Sequence, residues 1–254
     1  MSLRTVDLNA DLGEGYGPWR MGDDEALLDI VTTANIACGF HAGDPLIMRR
    51  TVALAAQRGV AVGAHPGLND LWGFGRRHMS GERPEDLATM VVYQVGALRA
   101  IATAEGVRVG HVKLHGALSN AAAVDEELAG AIASALRSFD AELRWLVPSG
   151  SAMTAAAAAE GLVAVAEAFC DRGYDDNGDL VPRSRPQALL EDPDEIAARA
   201  VQMASSGSVT SISGRRLPRP VESLCVHGDT PGAVAAARAV RTALTEAGIT
   251  VTHF

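Results

Sequence analysis

Short apolar runs alternate along the chain with amphipathic stretches of helical spacing, and no break in composition interrupts the alternation. The apolar runs predict strands at Thr5 to Leu8, Ala34 to Cys38, Val60 to Gly63, His111 to Leu114, Arg144 to Val147, Leu162 to Ala166, Leu224 to Val226 and Thr250 to Thr252. The stretches between them predict helices at Asp23 to Val31, Pro45 to Arg58, Pro84 to Glu105, Asp125 to Ser138, Ser151 to Glu160, Pro193 to Ser205 and Pro231 to Ala247. Acidic residues open the first of these, as the helix dipole prefers, and proline stands at a tolerated first-turn position in the second. The alanine run before Glu160 is low in complexity, yet alanine is the best helix former, so a packed helix is expected there. Two connections are long, His65 to Arg83 and Phe169 to Pro186, and long ordered loops often carry function.

Strands that alternate with helices pair in parallel through right-handed crossovers, and about seven such units predict closure into an α/β barrel. An open doubly wound sheet is the alternative. The Gly13 to Gly17 run lacks the GxGxxG spacing of a dinucleotide fingerprint, and there is no Walker A sequence. A length of 254 residues without a long linker suits one barrel domain over residues 1–254.

Composition narrows the function. The chain is 48% apolar and 21% charged, enough for a sizeable core, and carries a formal charge of −9 with 4% aromatic residues. Nucleic-acid binding is not expected, because it needs a basic face and rings for stacking. The N-terminal residues lack the basic-then-apolar layout of a secretory signal, and no run of about 18 uncharged apolar residues is present. A cytoplasmic protein with no membrane contact is therefore expected. Cys38, Cys170 and Cys225 are odd in number and far apart, which argues against a disulfide framework or a thiolate zinc site. Cys38 and Cys225 lie in apolar runs and read as small hydrophobes, while Cys170 has polar neighbours.

Polar motifs recur just after the predicted strands. They are Asn9 to Gly15, Gly39 to Asp44, Gly63 to Gly67, Lys113 to Gly116 and His227 to Asp229. In a parallel barrel these would converge on the C-terminal mouth, where such folds keep their active sites. Asp11, His65, Lys113 and His115 form the candidate catalytic set: His for general acid–base work, Asp to accept a proton or orient a His, Lys to stabilise developing negative charge. The same inventory offers Asp11, His65 and His115 as ligands for a divalent metal, although no HExxH signature is present. The candidate substrate-binding set is Asn9, Glu14, His41, Asp44, Arg77, Glu167, Asp171, Arg172, Arg183, His227 and Asp229. Within it, Arg172 and Arg183 suit an anionic group, since guanidinium forks grip carboxylates and phosphates. Ion pairs that order their own loops are the competing reading for these arginines and for Arg76 and Arg77. His78 and His253 receive no role.

Several of these motifs resemble the LamB/YcsF family: DLNADLGEG at Asp7 to Gly15, ANIACGFHAGDP at Ala34 to Pro45, GAHPG at Gly63 to Gly67, GFGRR at Gly73 to Arg77, DRGY at Asp171 to Tyr174, LVPRS at Leu180 to Ser184 and VHGD at Val226 to Asp229. The resemblance spans nearly the whole chain. It implies a distorted TIM-like barrel of the glycoside hydrolase/deacetylase type, and a place in a three-component 5-oxoprolinase with partner subunits B and C. The implied reaction is ATP-dependent opening of 5-oxo-L-proline to L-glutamate, with magnesium accompanying ATP or a metal in the site. A metal-dependent deacetylase and a non-catalytic lactam-binding component are the alternatives. Two positions depart from the family's usual KPHG and Leu-Tyr-Asn: Leu114 stands between Lys113 and His115, and Ser119 precedes Asn120. The stretch Arg185 to Ala188 departs from the family's usual Gly-Ala.

Overall fold

The computed structural model describes residues 4–78, 80–229 and 232–254. The elements run β1 (Thr5–Leu12), α1 (Asp24–Leu28), β2 (Thr33–Ala37), α2 (Pro45–Gln57), β3 (Ala61–His65), α3 (Pro84–Ala104), β4 (Val109–Lys113), α4 (Gly116–Val124), α5 (Glu126–Phe139), β5 (Arg144–Pro148), α6 (Ala152–Glu160), β6 (Val163–Phe169), α7 (Pro193–Ser206), β7 (Ser208–Thr210), β8 (Arg216–Pro218), β9 (Ser223–Cys225), α8 (Ala233–Glu246) and β10 (Thr250–Val251). The first residue of the predicted last helix, Pro231, lies outside the described residues.

Seven strands close a parallel barrel in the order β1, β2, β3, β4, β5, β6, β9, with β9 returning to β1. The α/β barrel expected from the alternation is therefore present, with the expected strand number. The last predicted strand, β10, is not part of the ring: it pairs only with Thr5 and Val6 at the start of β1.

Side chains alternate in and out along each strand. In β1, Leu8, Ala10 and Leu12 are wholly buried in the hydrophobic layer between barrel and helices. Burying each leucine contributes roughly 1.5–3 kcal/mol. Asp7, Asn9 and Asp11 occupy the opposite face and enter the barrel, where they too are buried. The polar interior explains why several strands extend beyond their predicted ends. Asn9 and Asp11 belong to β1, His65 to β3 and Glu167 to β6. In the sequence Asn9, Asp11 and His65 read as loop residues and Glu167 as the end of its strand, because each interrupts an apolar run, but the interrupting positions are the inward ones.

Three interior layers follow from the register. At the bottom, the hydroxyls of Thr32 (2.7 Å), Thr33 (2.6 Å) and Ser223 donate to Asp7. In the middle, Asn35 Nδ2 donates to Asn9 Oδ1 (2.8 Å) and Asp11 Oδ1 (3.0 Å), while its own Oδ1 receives His111 Nε2 at 2.8 Å. Gly63 packs under that imidazole, where a Cβ would run into the ring. The top layer holds Asp11, His65, Lys113 and Cys225 and opens onto the mouth.

α4 and the antiparallel β7–β8 hairpin are not among the elements that the sequence pattern predicts. α3 has an 18-residue window of mean hydropathy 1.4, so length and composition alone would let it cross a membrane. It packs along the barrel against α2 and α5 and buries Val91, Val95 and Leu98 among other residues.

Candidate active site

A cavity of about 570 Å³ sits over the C-terminal ends of the strands. Asp11, His65, Lys113, His115, Glu167, Arg172, Arg183 and His227 line it, together with Arg76, Phe169 and residues of α4. The strand-end motifs thus meet in one mouth, as parallel barrels require.

Lys113 is the hub. Its ammonium lies 2.9 Å from Asp11 Oδ1, 2.9 Å from Glu167 Oε1, 3.2 Å from Asn9 Oδ1 and 3.1 Å from Cys225 Sγ. Asn9 Nδ2 in turn donates to Glu167 Oε1 at 3.0 Å and to Ser223 Oγ at 2.7 Å. Burial opposes charge on both Lys113 and Asp11, but the pairing outweighs it. Asp11, with Cys225 and Glu167, raises the Lys113 ammonium well above its ordinary value, and His65 with Lys113 holds the Asp11 carboxyl well below the usual range. Cys225, read from sequence as a small hydrophobe, faces this ammonium, and burial still pushes its thiol well up. Cys38 and Cys170 are buried too, and each thiol bonds a backbone carbonyl.

Beside this hub stands a second group. His65 Nε2 lies 3.0 Å from His115 Nδ1 and 3.4 Å from Asp11 Oδ2. His41 Nε2 is 3.3 Å from Glu14 Oε1, and its ring stacks on that of His115 with centroids 3.7 Å apart. Burial, reinforced by the neighbouring imidazoles, pushes His41 and His115 well below ordinary histidine values, so both are neutral near pH 7. Burial, together with the charges of Asp11 and Asp229, raises the Glu14 carboxyl. Two buried clusters have the composition of metal ligands: Glu14, His41, His65 and His115, and Asp11, Cys225 and His227. The metal-ligand candidates from the sequence, Asp11, His65 and His115, are divided between these two clusters, and Glu14 and His41 join the second and third of them.

Across the mouth, His227 Nδ1 lies 2.8 Å from Asp171 Oδ2, and the His227 backbone N–H donates to the same oxygen at 3.0 Å. Burial works against the Asp171 charge, yet His227 outweighs it and lowers the carboxyl. Asp229 pairs with Arg76 at 2.8 Å. Arg76 thus makes an ion pair, as its competing reading expects, and it also forms part of the cavity wall.

The remaining candidates separate by geometry. Arg172 donates to the backbone carbonyls of Ala188 (3.0 Å) and Val181 (2.8 Å), so it orders its own long loop; burial, with Arg183 nearby, lowers it to about 10. Arg183 is half-buried and, among the described residues, makes no hydrogen bond or ion pair. Burial and the neighbouring Arg76 lower its guanidinium. Asn9, Glu14, His41, Asp171 and Asp229 touch residues of the cavity wall without lining it themselves, and Asp44 and Arg77 lie away from it. Asp44 caps α2 by accepting from the N–H groups of Leu46 (2.8 Å) and Ile47 (3.1 Å), and Arg77 is exposed and paired with Asp70. Their residue types suit anion and donor recognition, but here a helix terminus and a loop turn use them.

Sequence reasoning also missed Asn35 and His111, which orient the hub from within the barrel. The available signal was a polar residue at every second position of an apolar strand.

Residues 6–254 match the model of the LamB/YcsF family. The 5-oxoprolinase A subunit of Methylococcus capsulatus is 54% identical over 248 residues, covering 98% of this chain and 95% of that protein. The corresponding 5-oxoprolinase A subunit of Nitrobacter hamburgensis is 53% identical over 250 residues, covering 98% of each. Among solved structures, the lactam utilization protein from Thermus thermophilus is 46% identical with a TM-score of 0.93, covering 98% of this chain and 100% of that one. A more distant structure from Enterococcus faecalis V583, 15% identical with a TM-score of 0.56 over 99% of this chain and 98% of that one, shares the fold.

Proposed function

The chain belongs to the LamB/YcsF family, and we propose that it is the A subunit of a cytoplasmic ATP-hydrolysing 5-oxoprolinase, opening the lactam of 5-oxo-L-proline to L-glutamate. Relatives that carry this subunit's name align over nearly their full length at more than half identity, and that observation carries the assignment. The mouth supplies groups suited to the substrate. Arg183, whose guanidinium makes no hydrogen bond or ion pair among the described residues, lines the same cavity as Lys113. A small lactam with one carboxylate fits that polarity: Arg183 takes the carboxylate, and the reacting amide oxygen points toward Lys113.

Amide hydrolysis then needs a proton donor and acceptor for nitrogen and water. His227, held at Nδ1 by Asp171, has the orientation of a general acid–base, and Asp11 with the strand-end residues His65 and His115 completes the polar surface around the carbonyl. An unstrained lactam is a poor electrophile. Phosphorylation of its oxygen makes the carbonyl carbon a better electrophile, which is the chemical reason for ATP, with magnesium accompanying the nucleotide; addition of water, cleavage of the C–N bond and release of phosphate then give L-glutamate. Subunits B and C are the proposed partners in that step. The relatives are themselves named as one subunit of a larger enzyme, which supports an assembly of this kind.

The test is glutamate formation from 5-oxo-L-proline and ATP in a mixture of this chain with subunits B and C. Formation is expected to require this chain and to fall to background with Asp11→Asn. Full turnover by B and C alone would leave this chain as a lactam-binding component.

A further inference from the structure

His65 Nδ1 lies 2.8 Å from the backbone carbonyl of Lys113, and His115 Nε2 lies 2.8 Å from that of Phe74. A carbonyl oxygen can only accept, so each of these two nitrogens carries the ring hydrogen. In a neutral imidazole the other nitrogen is then a bare lone pair. The two remaining nitrogens, His65 Nε2 and His115 Nδ1, face each other at 3.0 Å. Two carboxylate oxygens join them. Glu14 Oε1 is 3.4 Å from His115 Nδ1 and 4.0 Å from His65 Nε2, while Asp11 Oδ2 is 3.4 Å from His65 Nε2.

All four side chains are buried. Among the described residues, the other polar groups that reach this cluster approach from its outside: His41 Nε2 beside Glu14 Oε1, and Lys113 and Asn35 donating to the other oxygen of Asp11. Ring nitrogens and carboxylate oxygens buried face to face are costly unless a proton or a metal ion lies between them. Their spacing suits the ion. Nitrogen and oxygen ligands about 2.0–2.1 Å from a tetrahedral metal stand roughly 3.3 Å apart; the separations here are 3.0 Å between the two histidines, 3.4 and 4.0 Å from Glu14 to them, and 3.4 Å from Asp11 to His65, so a bound ion draws Glu14 slightly inward. The His65 and His115 rings are perpendicular, so two in-plane lone pairs can share one focus. The carbonyl that fixes each ring is the supporting contact that metal-bound histidines characteristically have.

His41 differs. Its ring lies parallel to that of His115, 2° between planes, with centroids 3.7 Å apart. An ion in the plane of one ring is therefore well out of the plane of the other, and the two cannot share it. His41 instead lies within hydrogen-bond reach of Glu14, Nε2 to Oε1 3.3 Å, and supports His115 by stacking.

We propose that Asp11, Glu14, His65 and His115 form a divalent-cation site, with His41 as a positioning residue that is not a ligand. Two imidazoles and two carboxylates favour zinc, manganese or cobalt over calcium. Asp11, His65 and His115 line the mouth cavity, so the ion is reachable from the space assigned to substrate. The site stands on ligand geometry alone and does not depend on the lactam reading.

The experiment uses the whole chain, stripped with a chelator and dialysed, and titrated separately with zinc, manganese and cobalt chlorides by calorimetry. About one equivalent of at least one cation should bind and raise the unfolding temperature, and bound cobalt should show visible absorption of low-coordinate nitrogen and oxygen ligation. Glu14→Gln and His115→Phe should abolish stoichiometric uptake, whereas His41→Asn should weaken affinity about 10–100-fold and keep the stoichiometry. Unchanged binding in folded Glu14→Gln or His115→Phe would overturn the site. If both variants unfold, uptake of none of the three cations by the folded, stripped wild-type chain would do the same.

Discussion

Lys113 Nζ and Asp11 Oδ1 lie 2.9 Å apart inside the barrel, with both side chains almost wholly removed from solvent. A buried pair of this kind is weak evidence for stability, because desolvation offsets much of the attraction, but breaking it leaves an uncompensated charge. Lys113→Met leaves Asp11 and Glu167 facing each other without their shared cation. The expected loss is about 3–5 kcal/mol of folding stability, read from urea unfolding. Adding Glu167→Gln should recover part of it, because one of the two stranded charges is removed.

Gly63 tests the middle layer of the barrel. It lies beneath the His111 imidazole, and a methyl group there collides with the ring. Gly63→Ala is expected to destabilise by about 3 kcal/mol, the upper end for overpacking a dense interior. The same substitution in a His111→Ala background should cost much less, since the ring it strikes is gone. Equal costs in both backgrounds would show that the backbone, not the ring, sets the requirement for glycine.

The barrel was legible in the sequence because its outward faces, such as Leu8, Ala10 and Leu12, carry ordinary strand patterning. The strand ends were not. Asn9, Asp11 and His65 look like loop residues until their partners are known, and those partners are remote: Asn9 meets Ser223 across 214 positions. Site membership was largely readable, since residues after parallel strands share one mouth. The pairings were not, so Arg172 and Arg183 looked equivalent, although the first is spent on carbonyls of its own loop. The β7–β8 hairpin was missed because its strands are three residues each and β8 is largely exposed.

Arg183 gives the sharpest test of substrate orientation. It has no internal partner among the described residues, so Arg183→Gln should change stability by no more than about 0.5 kcal/mol. If it holds the substrate carboxylate, kcat/KM for 5-oxo-L-proline should fall about 10–100-fold, the range for a charged hydrogen bond of roughly 1.5–3 kcal/mol. A lactam of the same ring size without the carboxylate should react equally with both enzymes. Loss of activity toward both lactams would assign Arg183 to the reacting centre instead.

Asp171 links the mouth to acid stability. Its carboxyl is lowered in the folded chain: burial opposes ionisation, and His227 outweighs that effect. A depressed carboxyl contributes stability that is fully present above its unfolded value, about 3.9, and is lost as pH falls through the folded value. Asp171→Asn should therefore be less stable than wild type at pH 7, and the gap should narrow on acidification below about pH 4. Urea midpoints measured across that range, with unchanged slopes, give the comparison. The amide can still accept from the His227 backbone N–H, so the local turn should survive while the imidazole loses its carboxylate partner. A stability gap independent of pH would mean that Asp171 acts through shape and hydrogen bonding alone, and that its charge contributes nothing to holding His227.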